Sequence, residues 1–340
     1  MLNKNRCGSV LILALWTVLF LTVLASNIGF RIRHRAMLLM RIEEKGALHH
    51  LAEAGVKKAI SFLRKNFEES RLTLNAALKE ELYNNPRRFG RTVLGKGSFE
   101  VSYQNPGWGN NSENKNYGVV DEERKLNINK AHKSAVRRLL AQLITTDEEL
   151  IKKMANAIND WKEIGKGEAE GFYSEDYYSN LEFPYEPKKG DFETIDELLL
   201  VSGINQEVFD ILKSYITIYG DGKININTAY KETLIAAGLD SVLAEKIIDF
   251  RAGKDAVEGT SDDNIFLKPF DIASELGALN ELTKEEIKTL DRINESGIFK
   301  VNSSVYFIES KASLKSGKKQ YKISAVYNMS EKRIQYWREK

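Results

Sequence analysis

Two stretches concentrate oxygen donors on glycine-bearing sequence. NDWKEIGKGEAEGFYSEDYY carries Asp160, Glu163, Glu168, Glu170, Glu175 and Asp176, and GKDAVEGTSDDN carries Asp255, Glu258, Asp262, Asp263 and Asn264. Calcium takes roughly six to eight oxygens from carboxylates, amides and backbone carbonyls on a turning chain, and both stretches supply those groups. Neither follows the EF-hand spacing. On the residues alone, each reads first as a solvated acidic turn.

Other chemistry finds little footing. The four histidines are His34, His49, His50 and His132, and none stands in an H-x-x-x-H spacing. His49 and His50 are adjacent, so on a helix they point about 100° apart. Cys7 is the single cysteine, which leaves no intrachain disulfide and no thiol nucleophile further along. No Ser/His/Asp grouping, glycine-rich phosphate loop or HExxH occurs, so the chain does not read as an enzyme. Fifty Lys and Arg against 48 Asp and Glu give a net charge of +2, which argues against a strongly basic nucleic-acid binder. KININTAYKETLIAAGLDSVLAEKIIDFRAG does resemble a helix-hairpin-helix. Its turn, AAGLDS, holds Asp240 and no lysine or arginine, whereas phosphate binding needs clustered positive charge. The hairpin reads as packing.

The elements that must carry these loops are legible in the apolar pattern. From Ser9 to Phe30 the only polar side chains after Ser9 are Thr17, Thr22, Ser26 and Asn27. About 20 such residues span the ~30 Å hydrocarbon core of a bilayer as a helix. Lys4 and Arg6 precede this run and Arg31, Arg33 and Arg35 follow it, so charge does not orient the segment. A cleaved secretory signal ending at VLA (23–25), a plain anchor and a segment assembled from within the membrane all fit the run itself. The pattern then continues without proline. Leu48, Leu51, Ala52, Val56, Ala59, Ile60 and Leu63 recur every three or four residues along one helix face. One helix from Ser9 to about Phe67 would be about 88 Å long. A disposable signal has no reason to continue into such a helix.

SFEVSYQN (98–105) alternates like a half-buried strand, and KNYGVVDEERKLNINKA (115–131) reads as strand, acidic turn and short strand. GIFKVNSSVYF, KKQYKISAVYNM and KRIQYWREK read as three C-terminal strands. Between lie KSAVRRLLAQLI, DEELIKKMANAINDWKEI, ETIDELLLVSGI, QEVFDILKSYITIY, KETLIAAGL, SVLAEKIIDFRAG and LTKEEIKTL, all with helical periodicity. Thr146 or Asp147 and Thr283 are the predicted caps. LNIN (126–129) and ININTA (224–229) suggest an internal duplication, with Asn129 or Thr228 near the helix start. The predicted class is α+β: a long N-terminal helix with a small antiparallel sheet, and a large α-helical domain inserted into the sheet region. The predicted segments are 1–8, 9–30, 31–126 with 298–340, and 127–297.

RCG followed by SVLILALWTVLFLTVLAS, together with ALHHLAEAGVKKAISFL, resembles the type IV pilin and pseudopilin family. The resemblance implies that 1–8 is a prepilin leader, that a prepilin peptidase cuts after Gly8, and that Ser9 becomes the methylated N-terminus. The helix then forms the core of a filament drawn from the inner membrane. Most members carry glutamate at the fifth mature position, to pair with the terminal ammonium of the subunit ahead; this chain has Leu13. An unpaired carboxylate in lipid is costly. Leucine therefore suits a subunit with nothing ahead of it, at the filament tip, and simple divergence is the alternative.

VVDEERKLNINKA, NDWKEI, EDYYSNLEFPYEPKKGDFETIDELLLVSGI, KININTAYKETLIAAGL, GKDAVEGTSDDNIFLKPFD and the terminal YWRE, in that order, resemble the K-type minor pseudopilins of type II secretion. This implies a single-pass protein of the bacterial inner membrane with its bulk in the periplasm. It implies partners in the I- and J-type minor pseudopilins and the major pseudopilin, with no nucleic acid. It also implies calcium in the inserted domain, with Asp160, Glu163, Glu175 and Asp176 in one loop and Asp255, Glu258, Asp262 and Asp263 in the other. In the first loop Glu163 and Gly165 replace acids of the family pattern; the second keeps its GT-x-DD core. An inserted domain of this bulk would obstruct a following subunit in a closely stacked fibre, which again fits the tip. The competing readings are a membrane-anchored periplasmic DNA-binding pilus protein using the hairpin, and a secreted enzyme cleaved near Ala25.

Overall fold

The computed structural model describes residues 7–70, 82–104, 115–162, 178–256, 258, 262–279, 281–315 and 319–340. Helix α1 runs unbroken over Cys7–Ser70. Its first half is apolar all round and stands clear of the body: Val10, Leu13, Trp16, Phe20 and Met37 are all exposed. One span in it is long and apolar enough to cross a membrane. In the second half the face predicted from spacing is the one buried, through Leu48, Leu51, Ala52, Val56, Ala59 and Leu63.

That face lies on an antiparallel sheet. A short helix α2 (Pro86–Phe89) leads into β1 (Thr92–Leu94) and β2 (Gly97–Val101). The ribbon β3 (Tyr103–Gln104) and β4 (Lys115–Asn116) follows, then β5 (Val120–Asp121). The chain returns at the C-terminus as β10 (Val305–Leu314), β11 (Gln320–Asn328) and β12 (Arg333–Glu339), and the sheet order is β1-β2-β10-β11-β12 with β5 also on β10. The α+β class is as the sequence predicts. GIFKVNSSVYF is not one strand, however. Its first residues form β9 (Phe299–Lys300) in another sheet, and β10 begins only at Val305 and extends through Leu314.

Helix and sheet approach closely at Gly55. A Cβ there would meet the Ser310 Oγ at 2.1 Å and a Phe99 ring carbon at 3.0 Å. A side chain would push the helix off the strand face, so the glycine is a packing requirement despite its cost in helix propensity.

Between β5 and β10 the chain builds two successive units of the same plan. The first runs β6 (Leu126–Asn127), α3 (Lys133–Leu143), α4 (Glu148–Lys162), a 3-10 turn (Ile195–Leu200), α5 (Gln206–Leu212) and β7 (Ile216–Thr217). The second runs β8 (Ile224–Asn225), α6 (Lys231–Ala237), α7 (Ser241–Arg251), a 3-10 turn (Pro269–Asp271) continuing into α8 (Ile272–Leu279), α9 (Lys284–Ser296) and β9. Each unit closes by pairing its last strand parallel to its first: Leu126 opposite Ile216, and Ile224 opposite Phe299. The two units share one apolar core. ETIDELLL is a 3-10 turn rather than an α-helix, and QEVFDILKSYITIY splits into α5 and β7. Asp147 caps α4 through the Glu149 and Leu150 amides, and Thr283 with Glu286 forms a capping box on α9. The helices after the LNIN and ININ segments are capped at His132 and Tyr230, later than Asn129 and Thr228.

Gly55→Ala is expected to destabilise the body by about 1–3 kcal/mol through overpacking. Gly46→Ala, with nothing within 4 Å of its added carbon, is expected to be neutral or stabilising by under about 1 kcal/mol. Thermal unfolding of the two variants side by side separates close approach from helix propensity.

Candidate functional site

The two acidic loops occupy equivalent places in the two units. Asp160-Trp161-Lys162 ends α4 as Asp249-Phe250-Arg251 ends α7. Lys162 Nζ donates to the Ile128 carbonyl at 2.8 Å, and Arg251 Nη1 donates to the matching Ile226 carbonyl at 2.8 Å. Trp161 stacks on Phe192 with 6.4 Å between ring centroids, and Phe250 stacks on Phe266 at 4.5 Å. The second asparagine of each LNIN or ININ segment then fixes the far end of its loop. Asn129 exchanges two hydrogen bonds with the Phe192 backbone, both at 2.9 Å. Asn227 does the same with Phe266, accepting at 2.8 Å and donating at 2.9 Å. A side-chain amide presents one donor and one acceptor to an extended backbone residue, as a neighbouring strand would.

In the first loop Glu163, Glu175 and Asp176 lie outside the described residues. Asp160 is half-buried at the end of α4. Below it, Trp161, Tyr178 and Tyr185 form an aromatic cluster. Over its described residues the tyrosine-rich segment is anchored by the Tyr178 and Tyr185 rings.

The second loop is tightly organised. Asp262 Oδ2 accepts the Lys254 amide at 2.8 Å and the Asp255 amide at 3.2 Å. Gly253, at φ +67°, brings its backbone so close to Asp262 that a Cβ would lie 2.5 Å from the Asp262 carbonyl oxygen. Asp255 and Asp262 therefore meet across one turn, and Asp263 is buried beside them. Glu258 turns inward instead. Its Oε1 accepts from Arg251 Nε at 2.8 Å and also from Nη2. Arg251 is itself buried, with Nη1 shared between the Ile226 and Ala229 carbonyls. The donor set is all oxygen, which suits a hard cation such as calcium. The ligand oxygens of Asp255, Asp262 and Asp263 are not gathered within 4.8 Å of one another in this structure, and Glu258 serves Arg251.

Both units are held to the sheet by the charged run Asp121-Glu122-Glu123-Arg124, all four residues buried. The Asp121 carboxylate accepts from Asn225 Nδ2 at 3.0 Å, Thr228 Oγ1 at 2.6 Å, Ser303 Oγ at 2.6 Å and the Glu123 amide at 2.8 Å. Glu122 accepts from Thr217 Oγ1 at 2.6 Å and Lys125 Nζ at 2.6 Å. Glu123 pairs with Lys300 and accepts the Ser304 amide at 2.6 Å. Burial and the neighbouring Asp121 carboxylate push the Glu123 carboxyl above its ordinary range, against the pull of Lys300. Arg124 donates to the Thr228 carbonyl at 2.9 Å and lies 3.9 Å over the Tyr230 ring. Nothing local in VVDEER signals this, because apart from Lys125 and the Glu123 amide the partners are distant in sequence.

In the hairpin read as helix-hairpin-helix, the Gly238 and Leu239 amides donate to Ile235 and Leu234, and Asp240 caps α7 through the Leu243 amide. The turn amides are thus used within the hairpin. Gly8 and Ser9 lie in the first turns of α1.

Removing one partner from a buried charged network leaves the rest unsatisfied. Asp121→Ala strands three side-chain donors and Arg251→Ala strands a carboxylate and two carbonyls. Each is expected to cost about 3 kcal/mol or more in chemical unfolding, whereas Lys213→Ala, removing an exposed pair with Asp210, is expected to cost under about 1 kcal/mol.

Residues 112–221 match the family model described as type II secretion system protein K, first domain. Among curated proteins no match is found. A chain of the crystal structure of the GspK-GspI-GspJ complex from the type 2 secretion system of enterotoxigenic Escherichia coli has a similar fold. Its TM-score is 0.57 at 13% identity, covering 88% of this chain and 96% of that one. The matched segment runs from β4 through the buried VVDEER junction and the whole first unit. The family match covers about a third of the chain, and with the long helix and antiparallel sheet on either side of the insertion the whole fold is similar to that chain of the GspK-GspI-GspJ complex.

Proposed function

We propose that the chain is the tip subunit of a type II secretion pseudopilus, initiating and capping the fibre for protein export across the outer membrane. Its work is assembly rather than catalysis. The observation that carries this reading is the shape of the molecule. An apolar helix half stands free of the body, while a two-unit domain with one shared core is built onto the sheet that packs on the other half of α1. The free half suits a lipid span that is later drawn into helix packing, where the small residues Ala14, Ala25 and Gly29 permit close approach. Leu13, exposed on that half, places no carboxylate where a tip subunit would find no amine. The partners are I- and J-type minor pseudopilins, in line with the similar chain being part of a GspK-GspI-GspJ complex, and the major pseudopilin below them. The span lies in the inner membrane and the body in the periplasm. A prepilin peptidase removes the leader after Gly8 and methylates Ser9.

Labelled protein on isolated fibres is expected at one end only; label along the length would overturn the tip assignment. Intact-mass measurement after co-expression with a prepilin peptidase is expected to give a chain beginning at methylated Ser9. Gly8→Val should retain the leader, and a start near Ser26 would show an ordinary signal cleavage instead.

Calcium belongs to the same proposal. Asp255, Asp262 and Asp263 would hold it in the second loop. Asp160 with Glu163, Glu175 and Asp176 is the corresponding set in the first. The ion would supply positive charge that draws these carboxylates together and ties each loop to its helix end. A ligand that binds only the folded state stabilises it by about 2.7 kcal/mol at 100-fold its Kd. A calcium-dependent rise in unfolding temperature, reversed by chelator and reduced in Asp263→Asn, is the expected result.

A further inference from the structure

His49 and His50 follow one another on α1, with Glu53 four residues from the first and three from the second. At about 100° per residue, Glu53 sits angularly between the two imidazoles, one turn further on, so each histidine can share an ion with it. One ligand atom from each of the three lies within 4.8 Å of the others, and no other such group of histidine, cysteine or acidic side chains occurs among the described residues. His50 Nδ1 is 3.6 Å from Glu53 Oε2, and the His50 side chain is 77% exposed, so its ring can turn without disturbing the core.

A second feature points to a ligand. His49 Nδ1 lies 3.4 Å from Glu339 Oε2 on β12. Glu339 is itself positioned: the Trp337 indole donates to Oε1 at 2.8 Å and the Tyr321 hydroxyl donates to Oε2. Tyr321 also meets the His49 ring edge-on, with 5.8 Å between centroids. A carboxylate behind one ring nitrogen fixes the tautomer and leaves the other nitrogen with its lone pair outward, which is how metal-bound imidazoles are oriented. Against this stands Lys57, 2.7 Å from Glu53 Oε1. Lys57 is an exposed partner on a flexible stem, and an ion can displace it.

We propose that His49, His50 and Glu53 form a binding site for a divalent transition ion of the zinc class, with Glu339 holding the His49 ring from behind. Two imidazoles and one carboxylate select such an ion over calcium or magnesium, and three protein ligands leave the remaining positions to water. The site sits where the last strand packs on α1, far in sequence from the acidic loops. It does not depend on the tip assignment.

The test is a calorimetric titration of the full-length chain in detergent with zinc chloride, in excess calcium to occupy the acidic loops. Cobalt(II) absorption serves as a second readout. The expected result is one saturable zinc site per chain. His50→Ala and Glu53→Gln should weaken it at least tenfold, and Glu339→Gln, which removes only the supporting carboxylate, by about 10- to 100-fold. His50 and Glu339 are exposed and Glu53 is half-buried outside the core, so metal-free unfolding temperatures should stay near wild type. Absence of saturable zinc binding would overturn the site. So would binding that survives the combined His49→Ala and His50→Ala variant, which would place the ion elsewhere.

Discussion

A single buried carboxylate, that of Asp121, joins the parts of this molecule. Asp121 closes β5 and so belongs to the sheet that packs on α1. Its oxygens are held by Asn225 and Thr228 from the second inserted unit and by Ser303 from the strand that returns to the sheet. No arginine or lysine pairs with it among these contacts. Its burial is sustained by aimed dipoles, which satisfy the charge only while every donor stays in place. Glu122 reaches the end of the first unit at Thr217, and Glu123 reaches Lys300 and Ser304. Four consecutive residues thus bind both inserted units and the return strand. The inserted domain is built into the sheet by this junction and does not hang from it by two strands of linker.

The duplication explains how so large an insertion leaves the sheet intact. Each unit closes on itself through a two-residue parallel pair, so its entry and exit lie within the length of one short ladder. Closing long loops costs entropy that grows only slowly with length, provided something fixes the ends. Here the asparagines do so twice over, once by turning the chain after each strand and once by clamping Phe192 or Phe266. The acidic loops then arise at matching places, each between a helix end that carries an aromatic and a cation and a clamped phenylalanine. The two loops share a scaffold, and their different acids are variations on it.

Much of the scaffold was legible because it follows period. The apolar spacing of α1, the strand character of β11 and β12 and the Thr283–Glu286 box are local signals, and the molecule uses them as they read. The LNIN and ININ resemblance was legible too, although it understated the repeat, which extends to the helix ends and the clamped phenylalanines. What did not show has a common cause. β7 is two residues long, lies in a stretch that reads as helix, and acquires strand geometry only from its pairing with β6. The DEER run reads as a solvated turn, since three acids and an arginine in sequence are normally exposed. Its partners lie between about one hundred and two hundred residues away in the chain. Glu258 read as an oxygen donor for an ion, and nothing near it announced that Arg251 would take it.

The contrast between the two halves of α1 bears on how force would pass through the molecule. The apolar side chains of the free half are exposed, so a pull on it loads the helix along its hydrogen bonds. The packed half is seated on β2, β10 and β11, with Gly55 against Ser310 and Phe99 setting the distance. Ser310 lies on β10, the strand that also pairs with β5 at Tyr306 and Phe307. Load on the helix therefore reaches the Asp121 junction through one continuous strand, and from there the whole inserted domain. A side chain at position 55 would lift the helix from that strand and break the path at its first step. The close approach at one glycine and the buried carboxylate about 14 Å of strand away are, in this sense, two ends of the same mechanical connection, since β10 advances about 3.4 Å per residue over the four residues from Tyr306, opposite Asp121, to Ser310.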